Sequence, residues 1–199
     1  SSMASLLSYF YTMKDAAVRL APAYARHRKV LRLVGMNDMH RRWVLKNPSH
    51  LVALDALMTV YPDALVVQTH RDPVTSIASA CSLSAEATRG WSTVFEGEVV
   101  GRAQLEMLSR SARTFAHARR AYDPAQFFDV EYDDFVADPV AMTRSIYEAF
   151  ALEWSEDVEA AVRDIDAESR QGAKKPSHRY QLADYGLTEE EVGGLFEGL

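Results

Sequence analysis

The sequence has a single cysteine, Cys81. That excludes an intramolecular disulfide and any metal site built from several thiolates, and it fits a reducing, cytoplasmic compartment. A lone thiol in an apolar stretch reads first as a small buried hydrophobe. No apolar run reaches the length of a membrane span. Residues 1–13 are apolar in patches but carry no basic flank ahead and no small-residue cleavage pattern, so they read as helix rather than signal peptide. Glycine is sparse, with 9 residues, and no Gly-rich loop precedes a predicted strand; the G-x-x-x-x-G-K-[ST] phosphate loop is not found. The six histidines, at 27, 40, 50, 70, 117 and 178, show no metal-ligand spacing, and no metal is expected. There is no internal repeat and no low-complexity segment.

An excess of positive charge is also missing. The net charge is −6, which argues against a general nucleic-acid binder. The charge is uneven, however. Residues 26–50 hold Arg26, Arg28, Lys29, Arg32, Arg41, Arg42 and Lys46 against one acid, Asp38, while Glu189, Glu190, Glu191 and Glu197 weigh on the other side near the C-terminus. Local basicity suits a small, highly charged ligand; the alternative is a solvated basic helix face.

What is present is an alternation of strands and helices. Helix is expected over 3–34, with a break near Pro22, and a short strand over Arg42–Lys46. Leu51–Tyr61 is amphipathic, and Pro62-Asp63 ends it. Ala64–His70 is β-branched and apolar, as a buried parallel strand should be. Helices come next over Pro73–Leu83 and Glu98–Tyr122, a third strand over Gln126–Tyr132, then helices over Pro139–Leu152, Glu156–Ser169 and Glu189–Phe196, with a loop at 170–179. The pattern predicts an α/β fold, a parallel sheet flanked by helices.

One device occurs twice: Lys46-Asn47-Pro48 and Arg71-Asp72-Pro73, each after a predicted strand and before a predicted helix. Asn or Asp caps the orphan N–H groups of a helix start, and proline is preset for its first position. A cation beside such a start makes an anion site at the carboxyl edge of the sheet, where ligands of open α/β folds bind. Two of them imply a ligand with more than one anionic group. Beyond Pro73 the helix places Val74, Ile77, Ala78 and Cys81 on one side and Thr75, Ser76, Ser79 and Ser82 on the other. His70-Arg71-Asp72 imitates the protein-kinase tripeptide, but the position five beyond the Asp is Ile77 rather than Asn, and no DFG or VAIK is present.

The stretch RWVLKNPSHLVALDALMTVYPDALVVQTHRDPVTSIASACSL (Arg42–Leu83) resembles the core of sulfotransferases that use 3′-phosphoadenosine-5′-phosphosulfate (PAPS), above all their bacterial and actinobacterial branch. VEYDDFVADPVAMTRSIYEAFAL (Val130–Leu152) and HRYQLADYGLT (His178–Thr188) are similar to that branch's later segments. The Arg-x7-Ser spacing from Arg71 to Ser79 is the most specific element. The resemblance implies a P-loop-hydrolase-like sulfotransferase fold, with Arg71 and Ser79 on the nucleotide 3′-phosphate and Lys46 near the 5′-phosphosulfate. It sets Tyr132 near the adenine or, equally, in the core, and His178 and Tyr180 over the nucleotide or in a loop with no role. His50 stands like the family's catalytic histidine but two residues further along, so it is read as catalytic base or as a surface residue. The family's N-terminal strand and phosphosulfate loop find no counterpart, so the chain reads as one incomplete α/β domain, the C-terminal portion of a sulfotransferase. Residues 1–41 are expected to be mainly helical, 42–132 the nucleotide-binding core and 133–199 helical.

The expected reaction is sulfuryl transfer from PAPS to a hydroxyl or amine, with Lys46 and His50 catalytic and no metal. The acceptor is a small molecule, a lipid or a carbohydrate, and Tyr9, Phe10, Tyr11 and Tyr24 are either its pocket or core. Two rivals stay open: another P-loop-type nucleotide enzyme, and a non-catalytic or fragmentary nucleotide-binding module.

Overall fold

The computed structural model describes residues 16–38, 41–172 and 181–198. Helix α1 spans Ala16–Val34 and continues through Pro22. A 3₁₀ turn, Pro48–Val52, leads into α2, Leu54–Val60. Strand β1 is Val66–His70, α3 is Pro73–Thr88 and α4 is Gly97–Arg119. Strand β2 is Phe127–Glu131, followed by α5 (Tyr132–Ala137), α6 (Pro139–Ala149), α7 (Glu156–Gly172) and α8 (Glu189–Phe196). The fold is α/β, a small parallel sheet flanked by helices. β1 and β2 pair in parallel with Val66 opposite Phe127 and His70 opposite Glu131, and α3 and α4 make the crossover between them.

The expected strand at Arg42–Lys46 does not form. The segment is irregular and exposed, with Val44 at 92 %. Its β-branched and aromatic residues favour a pleated, half-buried surface, but a strand is held by a neighbour that takes its backbone hydrogen bonds, and β1 and β2 pair only with each other among the described residues. Tyr132 is likewise not the last residue of a strand; it opens α5.

Alternation along β2 divides the core. Phe127 packs with Leu54 and Met58 of α2 and meets the Phe115 ring of α4 edge-on at 6.4 Å. Phe128 points the other way and meets Phe150, just after α6, at 6.2 Å. A second apolar cluster joins Ile77, Ala78 and Cys81 of α3 to Val100 and Leu105 of α4 and to Leu182, Leu187 and Val192 near the C-terminus. Full burial of side chains such as Ile77, Val100 and Val192 contributes roughly 1.5–3 kcal/mol each. Cys81 is the expected buried hydrophobe, and burial pushes its thiol up to about 11.

The segment 181–196 is bolted to α4. Gly101 lets the Tyr185 backbone approach so closely that a Cβ there would lie 2.1 Å from the Tyr185 carbonyl oxygen. Arg102 donates to the Glu191 carboxylate at 2.7 Å and to the Gly186 carbonyl at 3.1 Å, and Arg113 donates to the Leu195 carbonyl at 3.0 Å. Thr188 and Glu191 close a capping box on α8. These contacts fix the back of α3, whose front end carries the candidate site.

Candidate anion site and its neighbours

β1 delivers Arg71 to the carboxyl edge of the sheet. Because His70 pairs with Glu131, the next residues of the two strands, Arg71 and Tyr132, leave the sheet side by side. The Arg71 guanidinium lies over the Tyr132 ring, 4.5 Å from its centroid. Tyr132 is 39 % exposed, which removes the core alternative. Arg71 itself is exposed and forms no ion pair within reach of a carboxylate among the described residues. One residue on, Asp72 caps α3, accepting from the backbone N–H of Thr75 at 2.8 Å and of Val74 at 3.4 Å, and from the Thr75 hydroxyl at 2.5 Å. The Thr75 hydrogen bonds hold the Asp72 carboxyl below the usual carboxylate range, with Arg71 adding a smaller pull. The stacked, positively charged fork beside a capped 16-residue helix is what a phosphate requires. Ser79 lies further along α3, half-buried, and no hydrogen bond joins it to Arg71.

Behind Arg71 the sheet carries a charge network that spacing did not reveal. Asp129 accepts from both terminal nitrogens of Arg119, at 2.6 and 2.7 Å, and its Oδ1 lies 2.7 Å from His70 Nε2. Arg119 also donates to Gln68 at 3.0 Å, across the register that pairs Gln68 with Asp129, and stacks over Phe127. Arg119 above all, then His70, holds Asp129 down at about 2. His70 is thus engaged in the sheet. The sequence signal is an acid, Asp129, at the middle position of β2, between Phe128 and Val130.

The Lys46 device is built differently. Asn47 Oδ1 accepts from the Ser49 N–H at 2.9 Å and Pro48 opens the turn, as expected. That turn is a five-residue 3₁₀ segment with no buried residue, so fewer peptide dipoles align behind it than behind Asp72. Lys46 is exposed and makes no hydrogen bond or ion pair among the described residues. The reading that both devices end paired strands therefore holds for Arg71 and fails for Lys46.

His50 is half-buried rather than a plain surface residue. Its Nδ1 lies 2.6 Å from the Tyr24 hydroxyl of α1, with the rings 5.7 Å apart. A parallel pair, His27 Nδ1 to the Tyr61 hydroxyl at 2.8 Å, lies beside it and ties α1 to the end of α2. Burial, then the nearby His27, lowers the His50 pKa, which favours the neutral imidazole. Tyr24, read from the sequence as pocket or core, is a partner of His50. His178, Tyr180, Tyr9, Phe10 and Tyr11 lie outside the described residues.

A groove of about 500 Å³ opens between the first turns of α3 (Val74, Thr75, Ala78) and Leu182, Leu187 and Thr188. Lys46, His50, Arg71 and Ser79 do not line it, although Val74 and Thr75, which hydrogen-bond the Asp72 cap, do.

A parallel strand that ends in an arginine without a salt bridge among the described residues, beside a capped helix, defines an α/β protein with a candidate anion-accepting edge. The chain belongs to the sulfotransferase family, which it matches over residues 8–156. It is similar to sulfotransferase STF1 of Mycobacterium tuberculosis H37Rv, with 49 % identity and a TM-score of 0.81 over 90 % of this chain and 46 % of that one. Sulfotransferase STF9 of Mycobacterium avium shows 29 % identity and a TM-score of 0.64, over 77 % of this chain and 40 % of that one. The omega-hydroxy-beta-dihydromenaquinone-9 sulfotransferase Stf3 of Mycobacterium bovis is 26 % identical over 114 residues, 55 % of this chain and 28 % of that protein. The chain thus spans less than half the length of each of these relatives.

Proposed function

We propose that this chain supplies the nucleotide-binding part of a cytoplasmic sulfotransferase that moves a sulfuryl group from PAPS to a hydroxyl or amine acceptor. The observation that carries the reading is Arg71: a cation with no salt bridge among the described residues, stacked on an exposed Tyr132 at the capped start of α3. Its planar fork suits a terminal phosphate, and the free part of the Tyr132 ring offers a face for a base. Ser79, further along the hydroxyl side of α3, adds a donor only if the ligand draws the two together.

PAPS supplies an activated sulfuryl group whose leaving group is a phosphate. The chain's residues position and neutralise charge. Lys46, exposed and without an ion pair among the described residues, meets charge developing on the departing phosphate oxygen. His50 takes the acceptor proton on Nε2, which requires its Nδ1–H to donate to the Tyr24 oxygen, so that Tyr24 fixes the tautomer. A well-placed base is worth on the order of 10²–10⁴-fold in rate. The similarity to an enzyme named for an omega-hydroxylated quinone supports a lipid-borne hydroxyl as the first acceptor class to test, ahead of carbohydrate.

Titration calorimetry with adenosine 3′,5′-bisphosphate and with adenosine 5′-monophosphate, each with and without magnesium, tests the nucleotide assignment. Preference for the 3′-phosphate and indifference to magnesium are expected. Equal affinity for both ligands, or a strict magnesium requirement, rejects it in favour of another P-loop-type nucleotide enzyme. A second reading, nucleotide binding without turnover, is favoured by the irregular, unpaired segment that carries Lys46. Lys46→Ala separates the two: loss of kcat supports catalysis, and a change confined to acceptor KM places Lys46 away from the reacting centre.

A further inference from the structure

The stretch from Arg26 to Lys46 combines two properties that rarely share a surface. It holds seven cations and one acid, a net +6, while the other 178 residues carry −12. All seven cations are exposed; Arg28 donates to the Val60 carbonyl and Arg41 pairs with Asp38, and apart from Lys46, assigned above to the nucleotide, this leaves Arg26, Lys29, Arg32 and Arg42 without a hydrogen bond or ion pair among the described residues. The same stretch exposes large apolar side chains: Leu33 at 69 %, then Val34, Met36, Trp43, Val44 and Leu45.

The local geometry explains the grouping. α1 turns Tyr24 and His27 inward, where they meet His50 and Tyr61. Arg26, Lys29, Val30 and Leu33, at i, i+3, i+4 and i+7, share the opposite side. Trp43 then folds back against the end of the helix, its ring 3.1 Å from where a Cβ on Gly35 would sit, which brings Val44 and Leu45 to the same end. The result is an apolar tip that includes a tryptophan, flanked by cations on long stems.

We propose that this surface docks the protein on an anionic lipid bilayer, with the apolar tip entering the headgroup boundary and the cations meeting lipid phosphates. Charge selects this occupant. A second copy meeting this surface face to face would set +6 against +6. A nucleic acid would use the cations and leave the exposed Leu33, Val44 and Leu45 in water. A bilayer with anionic headgroups satisfies both. The inference is independent of the nucleotide: vesicle binding and bisphosphate binding can each fail alone.

The test is co-sedimentation of the full 199-residue chain with vesicles of phosphatidylcholine alone or with a minor fraction of phosphatidylglycerol. Binding to the anionic vesicles that weakens with salt is expected. The charge reversal R26E/K29E/R32E should lower the partition coefficient by ~100-fold or more. L33S/V44S, both at exposed positions, should lower it by about tenfold with an unchanged circular dichroism spectrum. Trp91→Ala, at an exposed apolar residue outside the stretch, should change nothing. Equal binding to both vesicle types, no binding, an equal loss with Trp91→Ala, or a concentration-dependent dimer abolished by L33S/V44S without vesicle binding would each overturn the proposal.

Discussion

Lys46-Asn47-Pro48 and Arg71-Asp72-Pro73 obey one local grammar and end in different structures. Both caps form. Asp72 holds two backbone N–H groups and a hydroxyl and opens a 16-residue helix whose inner face buries Ile77, Ala78 and Cys81. Asn47 holds one N–H and opens five residues of 3₁₀ turn with nothing buried. The cap chemistry is common to both, so the difference arises on either side of it. β1 has β2 beside it and α3 has α4 and the C-terminal segment behind it, whereas 42–46 has no strand neighbour among the described residues. A capping motif thus specifies where a helix starts; the packing around it decides how firmly the start is held.

The comparison breaks most readily at Arg71. Arg71→Ala should weaken adenosine 3′,5′-bisphosphate by roughly 10- to 100-fold, the worth of a charge-assisted hydrogen bond of about 1.5–3 kcal/mol, while adenosine 5′-monophosphate is nearly unaffected. Equal losses in calorimetry would mean that Arg71 does not read the 3′-phosphate. The next effect comes from behind the helix. Gly101→Ala sets a methyl group against the Tyr185 carbonyl, a backbone atom that cannot swing aside, and should cost about 2 kcal/mol. In hydrogen exchange, α3 and α8 should lose protection while Pro48–Val52 stays as it was. A uniform loss across the chain would show that the two regions are not energetically distinct.

The caps permit a direct contest. Asp72→Ala should destabilise by ~1–2 kcal/mol and Asn47→Ala by no more than ~0.5 kcal/mol, read as denaturant midpoints at constant m. Equal costs would remove the asymmetry. The pH dependence adds a sign. The Asp72 carboxyl is held below its unfolded value, so its contribution is fully present above the ordinary carboxylate range and is lost as pH falls through the depressed value. The Asn47 cap has no such dependence.

Much of the fold is legible in the sequence because its signals are local. The β-branched run at Val66–His70 and the Asp-Pro helix starts at 72 and 138 lie within a residue or two of where their residue types put them. Arg71 is legible for the same reason, since strand, cation and cap are adjacent. Local reading fails where the deciding partner is remote. Arg42–Lys46 has the composition of a strand, but pairing is a property of two segments. Tyr24 and His50 are 26 residues apart and meet only because α1 docks on α2. Gly101 is conspicuous only once Tyr185 has been brought against it. No periodicity in the sequence announces such meetings.

The sheet behind Arg71 gives a small effect with a definite sign. Asp129 is held at about 2, chiefly by Arg119, against an ordinary unfolded value near 4. A depressed carboxyl stabilises the fold fully above the unfolded value and stops doing so as pH falls through the folded one. Asp129 is partly exposed, so solvent screens the pair, and about 1 kcal/mol is expected for the network. Asp129→Asn should therefore lower stability at pH 7 and bring it close to the parent's only below pH 2, where the parent also loses the charge. Its effect on bisphosphate binding should be small beside that of Arg71→Ala, because Asp129 steadies His70 rather than the ligand. An affinity loss as large as that of Arg71→Ala, with stability intact, would mean that the sheet network holds Arg71 in place and that the anion site extends one residue deeper into β1 than its exposed edge.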